Sequence, residues 1–364
     1  MARGGSARGP ETHGHVTLAD VARHVGVSAQ SVSNALHRPE RLNPDTRVRI
    51  LAAIEELGYR PNRSARALRG RASGLLAVTV ERSRPGRAAL LLDDFLHGLC
   101  EAADGAGYHL ILCQADTSQA ELRAYRELRA TTSVDGFILT GTRTRDVRAS
   151  VLQEWAVPFA SFGRAWNAEP SYSWVDVDGR AGLAAATRHV LDGGHRRVGY
   201  LGWPGNSDVG RDRRAGWQET CTARGVRPGP EERCRDDFDA AVTAAGRLLA
   251  LPEPPTAVVC ASDTLALGVL RAAADRGIPV GPDLAVTGFD DSAPAGLSTP
   301  ALTSVRQPLA DVAKALVDSV RREIEDPGGT PCHTLLEPQL VVRESSGGGP
   351  TPTDVTPHPA RRPS

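Results

Sequence analysis

The sequence predicts two unlike parts in one chain: a small all-helical headpiece, then a large α/β body carrying two parallel sheets. Three observations predict it. Residues 16–58 contain three short stretches of helical apolar period, each with a capping residue and two of them closed by glycine. From Leu75 onward, short apolar runs alternate with longer amphipathic stretches, the order that builds parallel sheets with helices on both faces. Charge is also divided: residues 1–71 hold twelve arginines and six acids, a net of +6, while the whole chain of 364 residues balances at 43 basic and 43 acidic side chains.

In the headpiece, Leu18, Val21, Ala22 and Val25 recur at i, i+3, i+4 and i+7, one buried face of a short helix. Thr17 is placed to cap it, with Asp20 completing a short capping box. Gly26 supplies a tight turn, and Ser28 caps a second helix over 29–37 with Val32 and Leu36 on its inner face. Gln30, Asn34 and His37 then fall on the outer face, where the second helix of a helix-turn-helix presents side chains to base edges. Asn43-Pro44 starts a third helix with Ile50, Leu51, Ile54 and Leu57 inward, and Gly58 stops it. An ordinary helical hairpin would share the apolar period, but not the basic charge around it.

The segment 59–70, YRPNRSARALRG, is too polar for a core helix, yet it holds one large apolar residue, Leu68, among arginines and small residues. From Val16 to Gly70 the chain resembles the headpiece and hinge of the lactose-repressor (LacI) family of bacterial regulators. The family pattern VTLxDVAxxAGVSxxTVSxxLN is matched almost throughout, and YxPNxxAxxL is met by Tyr59, Pro61, Asn62, Ala65 and Leu68. The resemblance implies that Ala29 joins Gln30 and Asn34 in reading bases, with Thr17, Ser28, Ser31, Asn62 and Arg63 on the DNA backbone. It further implies that the hinge enters the minor groove through Ala65, Arg66 and Leu68, the leucine wedging between base steps.

In the body, candidate strands are 75–80, 109–113, 136–140, 159–162, 198–201, 257–261 and 284–289. Candidate helices are 91–106, 119–130, 146–155, 179–191, 212–224, 239–251 and 264–276. Ligands of open α/β sheets sit beyond the carboxyl ends of strands, which nominates 81–84, 140–143, 162–164, 203–207, 262–263 and 289–290.

Here too the chain is similar to the same family, whose sensor is a periplasmic-binding-protein-like pair of doubly wound parallel-sheet subdomains. VDGFIL at 134–139, VDGRAG at 177–182, GGHRRVGY at 193–200, RAGW at 214–217, DTLALG at 263–268, VTGFDD at 286–291, LTSV at 302–305 and LVVRES at 340–345 carry the likeness in order. It implies effector contacts by Arg213 and Asp290, with Ser262, Phe289, Arg164 and Trp203 as further candidates. Trp203, Trp166 or Phe289 would offer an apolar face, though the tryptophans read first as core packing. Arg213 and Asp290 bracketing a polyol competes with both pairing other protein side chains. Three departures bear on the ligand: Ser262 replaces the family's asparagine, Leu91-Leu92 replace an aromatic pair, and the loop 83–89 contains arginine and glycine.

The expected boundaries are a disordered tail over 1–15, a DNA-binding domain over 16–60, a hinge helix over 61–71, an effector-binding and dimerisation domain over 72–345, and a second tail over 346–364. Six scattered cysteines show neither a CxxC pair nor zinc spacing, and no metal or cofactor is expected. The first strand leads into no GxGxxG turn, no Walker loop is present, and no nucleophile–base spacing stands out, so binding is expected rather than catalysis. No apolar run reaches membrane-spanning length. The expectation is a cytoplasmic (nucleoid-associated) homodimer that binds a palindromic double-stranded operator and responds to a sugar-like effector, most simply as a repressor of carbohydrate-utilisation genes. An effector-independent regulator and, more remotely, a solute-binding protein are the alternatives.

Overall fold

A computed structural model describes residues 16–37, 41–59, 73–80, 91–132, 134–144, 146–166, 171–205 and 207–347. The chain divides into two compact units, Met1–Ser73 and Gly74–Ser364.

The first unit holds α1 (Leu18–Val25), α2 (Ala29–His37) and α3 (Pro44–Glu56). Thr17 and Asp20 form the expected capping box, and Gly26 takes φ 75°, the left-handed conformation that closes α1. Ser28 Oγ accepts from Ser31 N (3.1 Å) to start α2, and Asn43 Oδ1 accepts from Asp45 N (2.9 Å) to start α3. Val21, Ala22, Val25, Val32, Ala35, Ile50, Ala53 and Tyr59 form the core, and Arg49 Nη2 ties α3 to the Val25 carbonyl (2.8 Å). Leu51, expected inward, is 39% exposed; the buried face of α3 runs through Ile50 and Ala53, three residues apart, and Leu51 lies about 100° round from Ile50.

The second unit contains two six-stranded sheets. The first uses β1 (Leu75–Val80), β2 (His109–Gln114), β3 (Gly136–Leu139), β4 (Phe159–Phe162), β5 (Ser173–Val177) and β11 (His333–Leu336), in the order β11-β5-β4-β3-β1-β2, all parallel. The second uses β6 (Val198–Gly202), β7 (Glu231–Arg233), β8 (Ala257–Cys260), β9 (Ala285–Asp290), β10 (Thr303–Arg306) and β12 (Gln339–Val341), in the order β12-β10-β9-β8-β6-β7, with only β12 antiparallel. Both sheets therefore place their first strand between their second and third. That order opens a crevice at the carboxyl ends of β1/β3 and of β6/β8.

Between strands run α4 (Leu92–Gly105), α5 (Ser118–Thr131), α6 (Val147–Glu154), α7 (Gly179–Asp192), α8 (Asp208–Ala223), α9 (Phe238–Leu249), α10 (Asp263–Ala274), the short α11 (Ala293–Leu297) and α12 (Leu309–Glu325). Helix α12 packs Val312, Ala313, Leu316, Val317 and Val320 into the core of the first sheet, although it follows β10 of the second. The chain thus passes between the sheets after β5, after β10 and after β11. Helices α11 and α12 and strands β5, β7, β10, β11 and β12 are absent from the sequence-derived elements, and α8 begins at Asp208 rather than 212, behind a Ser207 cap.

The loop from β3 to α6 is anchored by a buried ionic network. Arg148 donates from Nη1 to Glu121 Oε2 (2.7 Å), and from Nη2 to Asp146 Oδ2 (2.6 Å) and the Gly141 carbonyl (3.1 Å). Tyr125 OH donates to the other Glu121 oxygen and accepts from Thr79 Oγ1 (2.9 Å). Removing one member of a buried pair strands the other, so Glu121→Ala is expected to cost the second unit about 3–5 kcal/mol, read as a lower urea midpoint. A loss below about 1 kcal/mol would contradict this account of the loop's anchor.

Candidate functional site

The outer face of α2 carries the first candidate site. Ala29 and Gln30 are exposed and Asn34 is half-exposed, while Val32 and Ala35 on the opposite face are buried. Gln30 Nε2 donates to Asn34 Oδ1 (3.1 Å), one helical turn on, so the two amides lie side by side. Ser28 and Ser31 hydroxyls lie 2.9 Å apart at the helix start. Thr17 holds its capping position: its N–H and hydroxyl both donate to Asp20 (2.9 and 2.6 Å), and the residue is exposed. Asn62, Arg63, Ala65, Arg66 and Leu68, like the loop 81–84, lie outside the described residues.

In the second unit the carboxyl ends of the two sheets face each other, since residues beyond the strands of one bond to residues beyond the strands of the other. Thr144, past β3, donates from its N–H and hydroxyl to the two oxygens of Asp208 (each 2.8 Å), in the first turn of α8. One turn later, Asp212 accepts from Arg164 Nη2 (3.4 Å). Arg164 stands just past β4 and also donates through Nε to Asp176 Oδ2 (2.6 Å).

Arg213 follows in α8 and turns toward the second sheet. Its Nη1 donates to the Ala261 carbonyl (2.5 Å) and lies 3.7 Å from Asp290 Oδ1. Its guanidinium carbon is 3.6 Å from the centre of the Phe289 ring and 5.0 Å from that of Trp203. A Cβ at position 179 would lie 3.0 Å from Arg213 Cγ, so a larger residue there would push Arg213 aside by a few tenths of an ångström. On the first sheet's side, the Arg164 guanidinium lies 4.9 Å over the Trp166 ring. Each subdomain thus presents an arginine stacked on a tryptophan. Arg213 Nε, Trp203 Nε1 and Trp166 Nε1 are all buried without a hydrogen-bond partner among the described residues.

Asp290 closes the group. Gln307 Nε2 donates to its Oδ1 (2.7 Å), and its backbone sits at φ 114°, a region that L side chains rarely occupy. Such strain persists where the surroundings over-determine it and collects at functional positions. Burial pushes the Asp290 carboxyl above its usual range, against the pull of Arg213, and the neighbouring Asp263 and Asp236 carboxylates add to the rise. Asp212 is raised as well, by burial first, with Arg164 and Arg180 opposing.

Of the residues nominated from sequence, Arg213, Asp290, Arg164 and Trp203 come together here. Phe289 is wholly buried beneath Arg213, a support for the guanidinium rather than a face open to a ligand. Ser262 is 1% exposed: it caps α10 and donates to Asp236 Oδ1 (2.5 Å), so it holds a carboxylate instead of offering its own hydroxyl. Thr144, Asp176, Asp208, Asp212 and Asp236 were missed. The Ser207 cap was the available signal, because it starts α8 early enough to set Asp208 and Asp212 on one face. Among the described residues, no group of three or more His, Cys, Asp or Glu side chains could hold a metal ion, and no helix is long and apolar enough to cross a membrane.

Both units have known counterparts. The family of bacterial regulatory proteins called lacI matches residues 17–62, and the periplasmic binding protein-like domain matches residues 187–346. The HTH-type transcriptional regulator CelR of Thermobifida fusca is 32% identical over 342 residues, covering 90% of this chain and 98% of that protein. A solved complex of the transcriptional regulator CelR with cellobiose aligns with a TM-score of 0.67 at 29% identity, over 91% of this chain and 100% of the other. The lac repressor dimer bound to operator and the anti-inducer ONPF aligns with a TM-score of 0.79 at 26% identity, over 92% of this chain and 99% of the other. With a helix-turn-helix unit, a two-sheet α/β unit and a regulator of this similarity along nearly its whole length, the chain belongs to the lacI family of bacterial transcriptional regulators.

Proposed function

We propose that this regulator is a cytoplasmic homodimer that binds a palindromic operator and represses carbohydrate-utilisation genes, under control of a sugar-like effector held at the Arg213 cluster. It acts by binding rather than catalysis. The observation that carries the effector assignment is the set of idle donors at the joint of the two subdomains. A buried unmet N–H costs about 1–3 kcal/mol, and a ligand that supplies acceptors accounts for Arg213 Nε and Trp203 Nε1 on one side of the joint and Trp166 Nε1 on the other. The complex of CelR with cellobiose supports a saccharide, and the lac repressor dimer on its operator supports the dimer and the DNA target.

In this reading residues 16–60 are the DNA-binding domain, 61–71 the hinge helix and 72–345 the effector and dimerisation domain, flanked by tails over 1–15 and 346–364; the division between Ser73 and Gly74 supports the central boundary. Gln30 and Asn34 read base edges with Ala29 beside them, and Thr17, Ser28, Ser31, Asn62 and Arg63 hold phosphates. Ala65, Arg66 and Leu68 enter the minor groove. Effector binding shifts the balance between subdomain arrangements and so changes operator affinity, a coupling of about 1–3 kcal/mol.

Two substitutions test the two sites. Asn34→Ala should relax the base preference at its position by about 1–3 kcal/mol while leaving the salt dependence of binding unchanged. In a selection from random DNA, recovery of the wild-type motif by this variant would remove Asn34 as a reader. Arg213→Ala should bind the operator within about threefold of wild type but no longer respond to effector. A normal response in a fluorescence-anisotropy titration would remove Arg213 from the effector site.

A further inference from the structure

The charges around Arg213 decide which polar molecules the site admits. Among the described residues every guanidinium there already faces a carboxylate: Arg213 lies 3.7 Å from Asp290, Arg164 2.6 Å from Asp176 and 3.4 Å from Asp212, and Arg180 3.5 Å from Asp212. A further carboxylate, Asp236, is held in place by the buried Ser262 hydroxyl and acts electrostatically on Asp290. Among the described residues the three guanidiniums, Arg164, Arg180 and Arg213, thus meet Asp176, Asp212, Asp236 and Asp290, and none is left over to pair with an anion. The idle groups are of the opposite kind: Arg213 Nε, in a side chain only 7% exposed, and the indole N–H groups of Trp203 and Trp166 are all donors.

A hydroxyl meets both requirements at once, accepting from an idle N–H while donating to a carboxylate. A phosphate or carboxylate brings acceptors alone. It would satisfy the donors but set its charge against carboxylates whose arginines are already taken, in a partly buried place where such repulsion is weakly screened. The tryptophan rings add apolar faces suited to the C–H side of a sugar ring.

We propose that the effector is an uncharged polyhydroxyl molecule, an unphosphorylated saccharide, and that Asp176, Asp212 and Asp236 exclude phosphorylated and acidic sugars. This rests on the Arg213 cluster being the effector site. The test is thermal melting and titration calorimetry of the full-length protein and of Arg213→Ala, with glucose, maltose and cellobiose beside glucose 6-phosphate, fructose 1,6-bisphosphate and gluconate. A neutral sugar should raise the melting temperature of the wild type by several degrees and not that of Arg213→Ala. The three anions should bind at least about a hundredfold more weakly. Asp212→Asn, which removes one carboxylate and loosens Arg164, should narrow that gap about tenfold or more. An anion that binds the wild type as tightly as any neutral sugar, and loses its binding in Arg213→Ala, overturns the charge rule while leaving the site assignment standing. If no saccharide of either kind shifts the protein, the saccharide assignment falls and this inference with it.

Discussion

The first two turns of α8 are the constraint on which the sensor depends. Ser207 Oγ accepts from Gly210 N (3.0 Å), which fixes where the helix starts and hence which way each following side chain points. Asp208 and Asp212, four residues apart, then share a face and reach Thr144 and Arg164 of the other subdomain. Arg213, about 100° further round, reaches Ala261, Phe289 and Asp290 of its own. One short stretch of helix thereby carries both ties across the cleft and the cation at its centre. Asp208 is also favoured at a helix N-terminus, where the aligned peptide dipoles meet its negative charge.

This placement gives the regulatory logic a physical basis. A ligand shifts an equilibrium only by its differential contact with the two states. Any molecule seated against Arg213 touches the residue that follows Asp212, so its contacts and the cross-cleft contacts share a rigid element. The other ends of those ties are equally fixed. Thr144 leaves a loop whose base is clamped by Arg148, and Thr142 of the same loop donates to the Arg164 carbonyl (3.1 Å). The far ends of the two ties are therefore joined by a direct hydrogen bond.

Much of this architecture was legible in the sequence. Periodicity located the three headpiece helices and most helices of the body, and the match to the family extended the assignment from the headpiece to both sheets. Of the strands that were missed, β7, β11 and β12 lie at sheet edges, and β7 and β12 span three residues each, too few for alternation to register; β5 and β10 lie inside their sheets, but the polar residues of SWVDV and TSVR interrupt their apolar runs. Helix α12 was different. Its apolar residues at 309, 312, 313, 316, 317 and 320 keep a full helical period, but it follows β10 and packs on the other sheet, a connection that local pattern cannot reveal. At the site, Arg213 and Asp290 were accessible through motif position. Asp176, Asp236 and Thr144 were not, because their roles come from side chains far away in sequence. Phe289 and Ser262 were nominated by neighbourhood, yet burial turns them into supports for Arg213 and Asp236.

The central claim is that α8 holds the two subdomains through Asp208, and the backbone amide of Thr144 reports it directly. Hydrogen exchange of that amide should be slow in the wild type and at least about tenfold faster in Asp208→Ala, with the amides of β1 unchanged in both. Equal exchange of the Thr144 amide in the two proteins would contradict the claim, since the bond from its N–H to Asp208 would then carry none of the closure.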